Sequence, residues 1–106
     1  MPKYLLEVSY TADGAKGLLK DGGSKRRAAA QAVVESVGGK MEAFYYAFGE
    51  RDVFVIADVP DPQSAAAMAV AIGASGAATG KTTVLLTAED LDAAVKKSPK
   101  YTPPGH

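Results

Sequence analysis

The sequence predicts an α+β fold, a four-stranded antiparallel sheet carrying two helices on one face in the chain order β-α-β-β-α-β. Three observations predict it. Two-residue alternation of apolar side chains marks strands at 4–10, 40–48, 52–59 and 81–86; helical stretches fall between the first and second and between the third and fourth of these; glycine and proline punctuate nearly every junction. The two middle strands are also apolar on both faces. Residues 40–48 place Met41, Ala43, Tyr45 and Ala47 on one face and Phe44, Tyr46 and Phe48 on the other, and residues 52–59 set Val53, Val55, Ala57 and Val59 against Phe54 and Ile56. Two helices cover only one face, so the other needs a further cover, and a second copy of the sheet is the simplest one. A homodimer or higher oligomer is therefore expected.

In the first strand Tyr4, Leu6, Val8 and Tyr10 share a face, with Leu5, Glu7 and Ser9 opposite. The glycine-rich segment 11–23 reads as a loop holding one or two helical turns. Ser24 is the expected N-cap of a helix reaching Val37, in which Ala30, Val33, Val34 and Val37 form the apolar stripe, and Gly38-Gly39 ends it. A short turn at Gly49-Glu50-Arg51 joins the middle strands. Asp61 and Pro62 then start a second helix built from small residues, which Gly76 closes. Thr87 to Asp90 opens a third, amphipathic helix carrying Leu91, Ala94 and Val95. The domain is expected to occupy 1–95, followed by a basic, proline-rich tail at 96–106. With right-handed crossovers this order gives the ferredoxin-like arrangement, and two such sheets packed face to face make a dimeric α/β barrel.

Composition removes several functions. The chain has 106 residues, enough for one two-layer core, and its 12 Lys and Arg balance 12 Asp and Glu, which lacks the electrostatic footprint of a nucleic-acid or anionic-membrane binder. The absence of cysteine excludes disulfides, iron–sulfur clusters and thiol catalysis, and the single histidine, His106, argues against histidine-based chemistry or a metal site. No cofactor is expected. No apolar run approaches the roughly 20 residues of a membrane span, and the start lacks a signal-peptide pattern, so a cytoplasmic protein is expected.

Taken together, Gly38-Gly39-Lys40, Phe44 to Phe48 and the run from Gly49 to Asp61 resemble the GYD-domain family of small bacterial proteins. Gly17-Leu18-Leu19, Ser24 to Arg27, Ala74-Ser75-Gly76 and Thr82 to Thr87 extend the likeness to about residue 92. The resemblance implies a ferredoxin-like fold of the dimeric α/β-barrel type and leaves activity open. Arg51 stands where the family usually has tyrosine, so only Gly49 and Asp52 of the signature carry over.

Four constellations bear on function. At the hairpin, Arg51 and Asp52 suit an anionic ligand, while Asp52 equally suits a turn residue that binds backbone amides. Lys25, Arg26 and Arg27 follow two glycines at a helix start, where backbone N–H groups favour anions, and Arg27 borders the apolar stripe. Phe44, Tyr46 and Phe54 suggest an aromatic patch on the sheet, without the basic-glycine start of an RNA-recognition strand at 52–59. Glu7 is a lone carboxylate on an apolar strand, suited to proton transfer if enclosed and otherwise to pairing with Lys81 or Arg51. The expectation is an oligomer binding a small anionic or aromatic ligand near the sheet through Glu7, Tyr10, Arg27, Tyr46, Arg51 and Asp52. A cofactor-independent isomerase or monooxygenase of the dimeric α/β-barrel type, and a purely structural assembly protein, are the alternatives.

Overall fold

Strands form where alternation predicts them, and the helical segments lie between. The computed structural model describes residues 1–106 in the order β1 (Lys3–Tyr10), α1 (Ala12–Asp21), α2 (Gly23–Ser36), β2 (Lys40–Tyr46), β3 (Val53–Asp58), α3 (Pro62–Ala74), β4 (Ala78–Leu85) and α4 (Ala88–Val95). The sheet is wholly antiparallel, with strand order β2-β3-β1-β4. Its inner face is buried by α2 and α3, and Tyr4, Leu6, Val53, Val55 and Ala57 from the strands meet Val34 and Met68 from the helices.

Local chemistry sets the helix ends. Asp61 caps α3 by accepting the Ser64 N–H at 2.7 Å, and the Ser64 hydroxyl together with that N–H holds its carboxyl below the usual carboxylate range. Thr87 and Asp90 cap α4 reciprocally, each side chain accepting the other's backbone N–H at 3.0 Å. Gly38 takes φ +82° beyond the end of α2, the left-handed position expected of a C-terminal glycine.

The segment 11–23 departs from the expected loop. It folds as the full helix α1, capped by Thr11, whose hydroxyl accepts the Gly14 N–H while its backbone N–H donates to Ala77 O at 3.0 Å. Glycine lowers helix propensity, but here contact decides: a Cβ on Gly14 would lie 1.9 Å from Ala77 O, so only glycine lets α1 sit against the turn before β4. Ser24 is not the N-cap of the next helix either. Gly22, at φ +81°, is both the end of α1 and the cap of α2, and Asp21 lies 3.7 Å from Lys25 Nζ and 3.8 Å from Arg26, partly offsetting the cations at that helix start.

A bulge revises the faces of β2. Met41 pairs with Ala57 but Ala43 pairs with Ile56, so Glu42 is the extra residue and the alternation inverts there. Met41, Phe44 and Tyr46 consequently face the helices, and Ala43 and Tyr45 face outward. Phe54 also faces outward, so the patch expected from Phe44, Tyr46 and Phe54 does not exist: Phe44 and Tyr46 meet edge to face at 5.1 Å on the inner side, whereas Phe54 neighbours Tyr45 on the outer side. The bulged Glu42 and Asp58 both accept from Lys3 Nζ, at 2.7 and 2.9 Å, which raises the lysine's pKa.

α4 packs little on the remainder of the fold and leaves Leu91 and Val95 exposed. The arm it makes with the tail lengthens the molecule to 58 × 32 × 23 Å, and the radius of gyration of 16.8 Å exceeds the roughly 13 Å expected of a globular domain of about 100 residues. No helix is long and apolar enough to cross a membrane.

Candidate functional site

Alternation along β1 sends Leu6, Val8 and Tyr10 under the helices, and β3 adds Val53 and Val55 beside them. Above this floor, α2 and α3 stand apart. The facing residues on α2 are Ala29, Ala30, Val33 and Val34, and those on α3 are Met68 and Ile72. Alanines at the facing positions leave a partly open cavity of about 130 Å³, whose lining also takes in Phe44 and Ala78. Thirteen of its fourteen lining residues are apolar, and the remaining one is Arg26.

A second, more open groove of about 540 Å³ lies at the end of the sheet between α1 and the β2–β3 hairpin, lined by Leu18, Leu19, Tyr46, Phe48 and Asp52, with Tyr10 in the wall it shares with the inner cavity. Leu19 is 88 % exposed and Phe48 fully so, giving the groove an apolar lip.

Polar groups gather where the two spaces meet. Tyr46 lies over Gly23, where a Cβ would come within 3.1 Å of its ring, and its hydroxyl donates to Gly23 O at 2.9 Å. Partial burial and the neighbouring Tyr10 hydroxyl raise the Tyr46 pKa, against a smaller opposite pull from Arg26 and Arg27. Asp52 accepts the Tyr10 N–H at 2.8 Å, while its own N–H donates to Val8 O and its carbonyl accepts the Ala47 N–H, each at 2.9 Å. Its carboxylate thus serves a backbone amide, though one across the sheet on β1 and not in its own turn. Gly49, by contrast, has neither a positive φ nor a close neighbour, so the turn does not depend on it.

Of the residues expected to form a site, Tyr10, Tyr46 and Asp52 come together. Arg51 is half-buried in the hairpin loop, outside the linings of both spaces, and Arg27 is exposed on α2 within electrostatic reach of Tyr46. Glu7 lies on the opposite, outer face of the sheet, in register with Phe54 and Lys81 and in none of the ion pairs. Arg26 is the lining residue that Arg27 had overshadowed. The sequence does hold its trace, because Arg26, Ala29, Ala30, Val33 and Val34 follow i, i+3, i+4, i+7, i+8 on one helix face.

These features define an antiparallel α+β domain with an apolar space between its sheet and its helices. The GYD domain family model matches residues 4–95, and the chain belongs to that family. No curated protein and no solved structure gives a match to the chain.

Proposed function

We propose that this protein binds one small apolar molecule in the cavity between its sheet and α2 and α3, and that it does so as a homodimer of ferredoxin-like domains packed through their outer sheet faces. The observation that carries the binding reading is the cavity itself, about 130 Å³ and walled almost entirely by apolar side chains. An apolar cavity of this order, roughly 150 Å³ in a well-studied engineered case, stays dry and takes up a benzene-sized molecule. The lining supplies one guanidinium and one phenol and no carboxylate, which favours holding a ligand over abstracting its proton.

Support for the dimer comes from the outer face. Leu5, Ala43, Tyr45, Phe54 and Ile56 form an apolar centre in which Tyr45 is 69 % exposed, while Lys3, Glu42 and Asp58 make a charged edge. An apolar centre with a polar rim is the anatomy of a protein–protein interface, and a flat two-fold contact would present the same centre from both copies.

Filling the cavity tests the binding reading. Ala30→Leu should leave the protein folded and abolish the saturable thermal stabilisation that small apolar molecules give the parent protein. A panel of such molecules that shifts neither protein would end it.

A further inference from the structure

One cation lining the cavity has hydrogen-bond capacity to spare, and a phenol lines the same space. The Arg26 guanidinium carries five N–H donors and has a single long contact, 3.8 Å to Asp21, with 40 % of its side chain exposed. The Tyr10 hydroxyl, in the wall between cavity and groove, lies beside that of Tyr46, whose own O–H donates to Gly23 O, so the Tyr10 O–H can turn either to the Tyr46 oxygen or to a ligand. The nearest carboxylate in that wall, Asp52, is occupied by the Tyr10 N–H. The junction therefore offers a cation and a phenol O–H, and the group that complements both is an anionic oxygen acceptor.

The remainder of the cavity limits the body attached to that acceptor. Phe44, Tyr10 and the Met68 thioether line the interior, and aromatic edges and sulfur favour another aromatic ring. A volume of about 130 Å³ matches one ring.

We propose that the cavity recognises a single-ring aromatic carboxylate, with the ring between α2 and α3 and the carboxylate at Arg26 and the Tyr10 hydroxyl. This rests on the cavity being a ligand site, and it assigns that site a chemical class and two specificity-determining residues.

Calorimetric titration of the full chain with benzoate, benzyl alcohol and 2-naphthoate tests it. Benzoate should bind saturably and about tenfold or more tighter than benzyl alcohol, the factor expected of one charge-assisted hydrogen bond. The bicyclic 2-naphthoate should bind more weakly than benzoate. Arg26→Gln should lower benzoate affinity about tenfold and leave benzyl alcohol unchanged, and Tyr10→Phe should give a smaller loss in the same direction, with circular dichroism confirming that both variants are folded. Equal affinity for benzoate and benzyl alcohol, or benzoate binding indifferent to Arg26→Gln, would overturn the carboxylate assignment while leaving the apolar site intact. If 2-naphthoate binds as tightly as benzoate, the single-ring limit is wrong. Failure of all three to bind, together with no effect of Ala30→Leu on any apolar probe, would remove the ligand site itself.

Discussion

Removing the Asp52 side chain should loosen the end of the sheet where the two spaces meet. The ladder between β1 and β3 ends at Val8 opposite Val53, and beyond that point the Tyr10 N–H has no β3 carbonyl to donate to. Asp52 replaces it: its carboxylate accepts that N–H at 2.8 Å, and the residue's own backbone ties Val8 to Ala47. Asp52→Ala leaves the backbone bonds but deprives a part-buried N–H of a charged acceptor, a loss of about 1.5–3 kcal/mol. Asp52→Asn keeps an oxygen at the same place without the charge, so its cost should be about half as large. Urea unfolding followed by circular dichroism reads both values directly. The midpoint should fall in the order parent, Asn, Ala with an unchanged slope, because neither substitution alters the surface exposed on unfolding. An Asp52→Ala protein within about 0.5 kcal/mol of the parent, the range of ordinary surface changes, would show that water serves Tyr10 equally well. The aspartate of the GYD signature would then have no structural role in this chain.

Three further outcomes are expected. Gly14→Ala places a Cβ 1.9 Å from Ala77 O, so α1 must move off the turn before β4; destabilisation by about 1–3 kcal/mol in the same unfolding assay is expected, and a neutral result would mean that α1 docks elsewhere. The Tyr46 pKa is raised in the folded protein, so its contribution to stability is complete below the ordinary phenol range and is lost as pH rises through the folded value. Phenolate absorbance of the five tyrosines should end in a late alkaline step that Tyr46→Phe removes, and persistence of that step in the variant would assign it to another tyrosine. On the outer face, Phe54→Asp should give a folded monomer by sedimentation, since it places a charge in the centre of the proposed dimer contact, whereas Val55→Asp one residue along should unfold the chain by burying an unpaired charge in the core. A parent protein that sediments as a monomer at micromolar concentration would remove the dimer.

The strands, α3 and α4 were legible because their cues are local. Asp61-Pro62 begins α3, and Thr87 with Asp90 begins α4, through side chains that bind their own helix. The helix α1 was hidden because its decisive contact is remote in sequence. Gly14 reads as a helix breaker until Ala77, brought beside it by the α3–β4 turn, is seen to need that space. The faces of β2 were hidden for another reason: alternation assumes an unbroken pleat, and nothing in Met41-Glu42-Ala43 announces that one residue will be skipped. Glu42 occupies the bulge, where it reaches Lys3, and every residue beyond it exchanges faces relative to Met41.

That inversion is what makes the cavity. Had β2 kept its pleat with Met41 facing inward, Ala43 and Tyr45 would have followed it under the helices, and Phe44 and Tyr46 would have faced outward beside Phe54. Because the bulge turns Phe44 and Tyr46 inward, the first lines the cavity and the second meets Gly23 at the start of α2, where the hydroxyl bonds the backbone beside Arg26. The small residues of α2 then acquire a purpose that helix propensity does not give them. Larger side chains at Ala29 and Ala30 would fill the space over Phe44, whereas alanines leave it open. A bulge on the strand and alanines on the helix are separate features of the sequence, and only the two together produce an apolar chamber with a cation at its end.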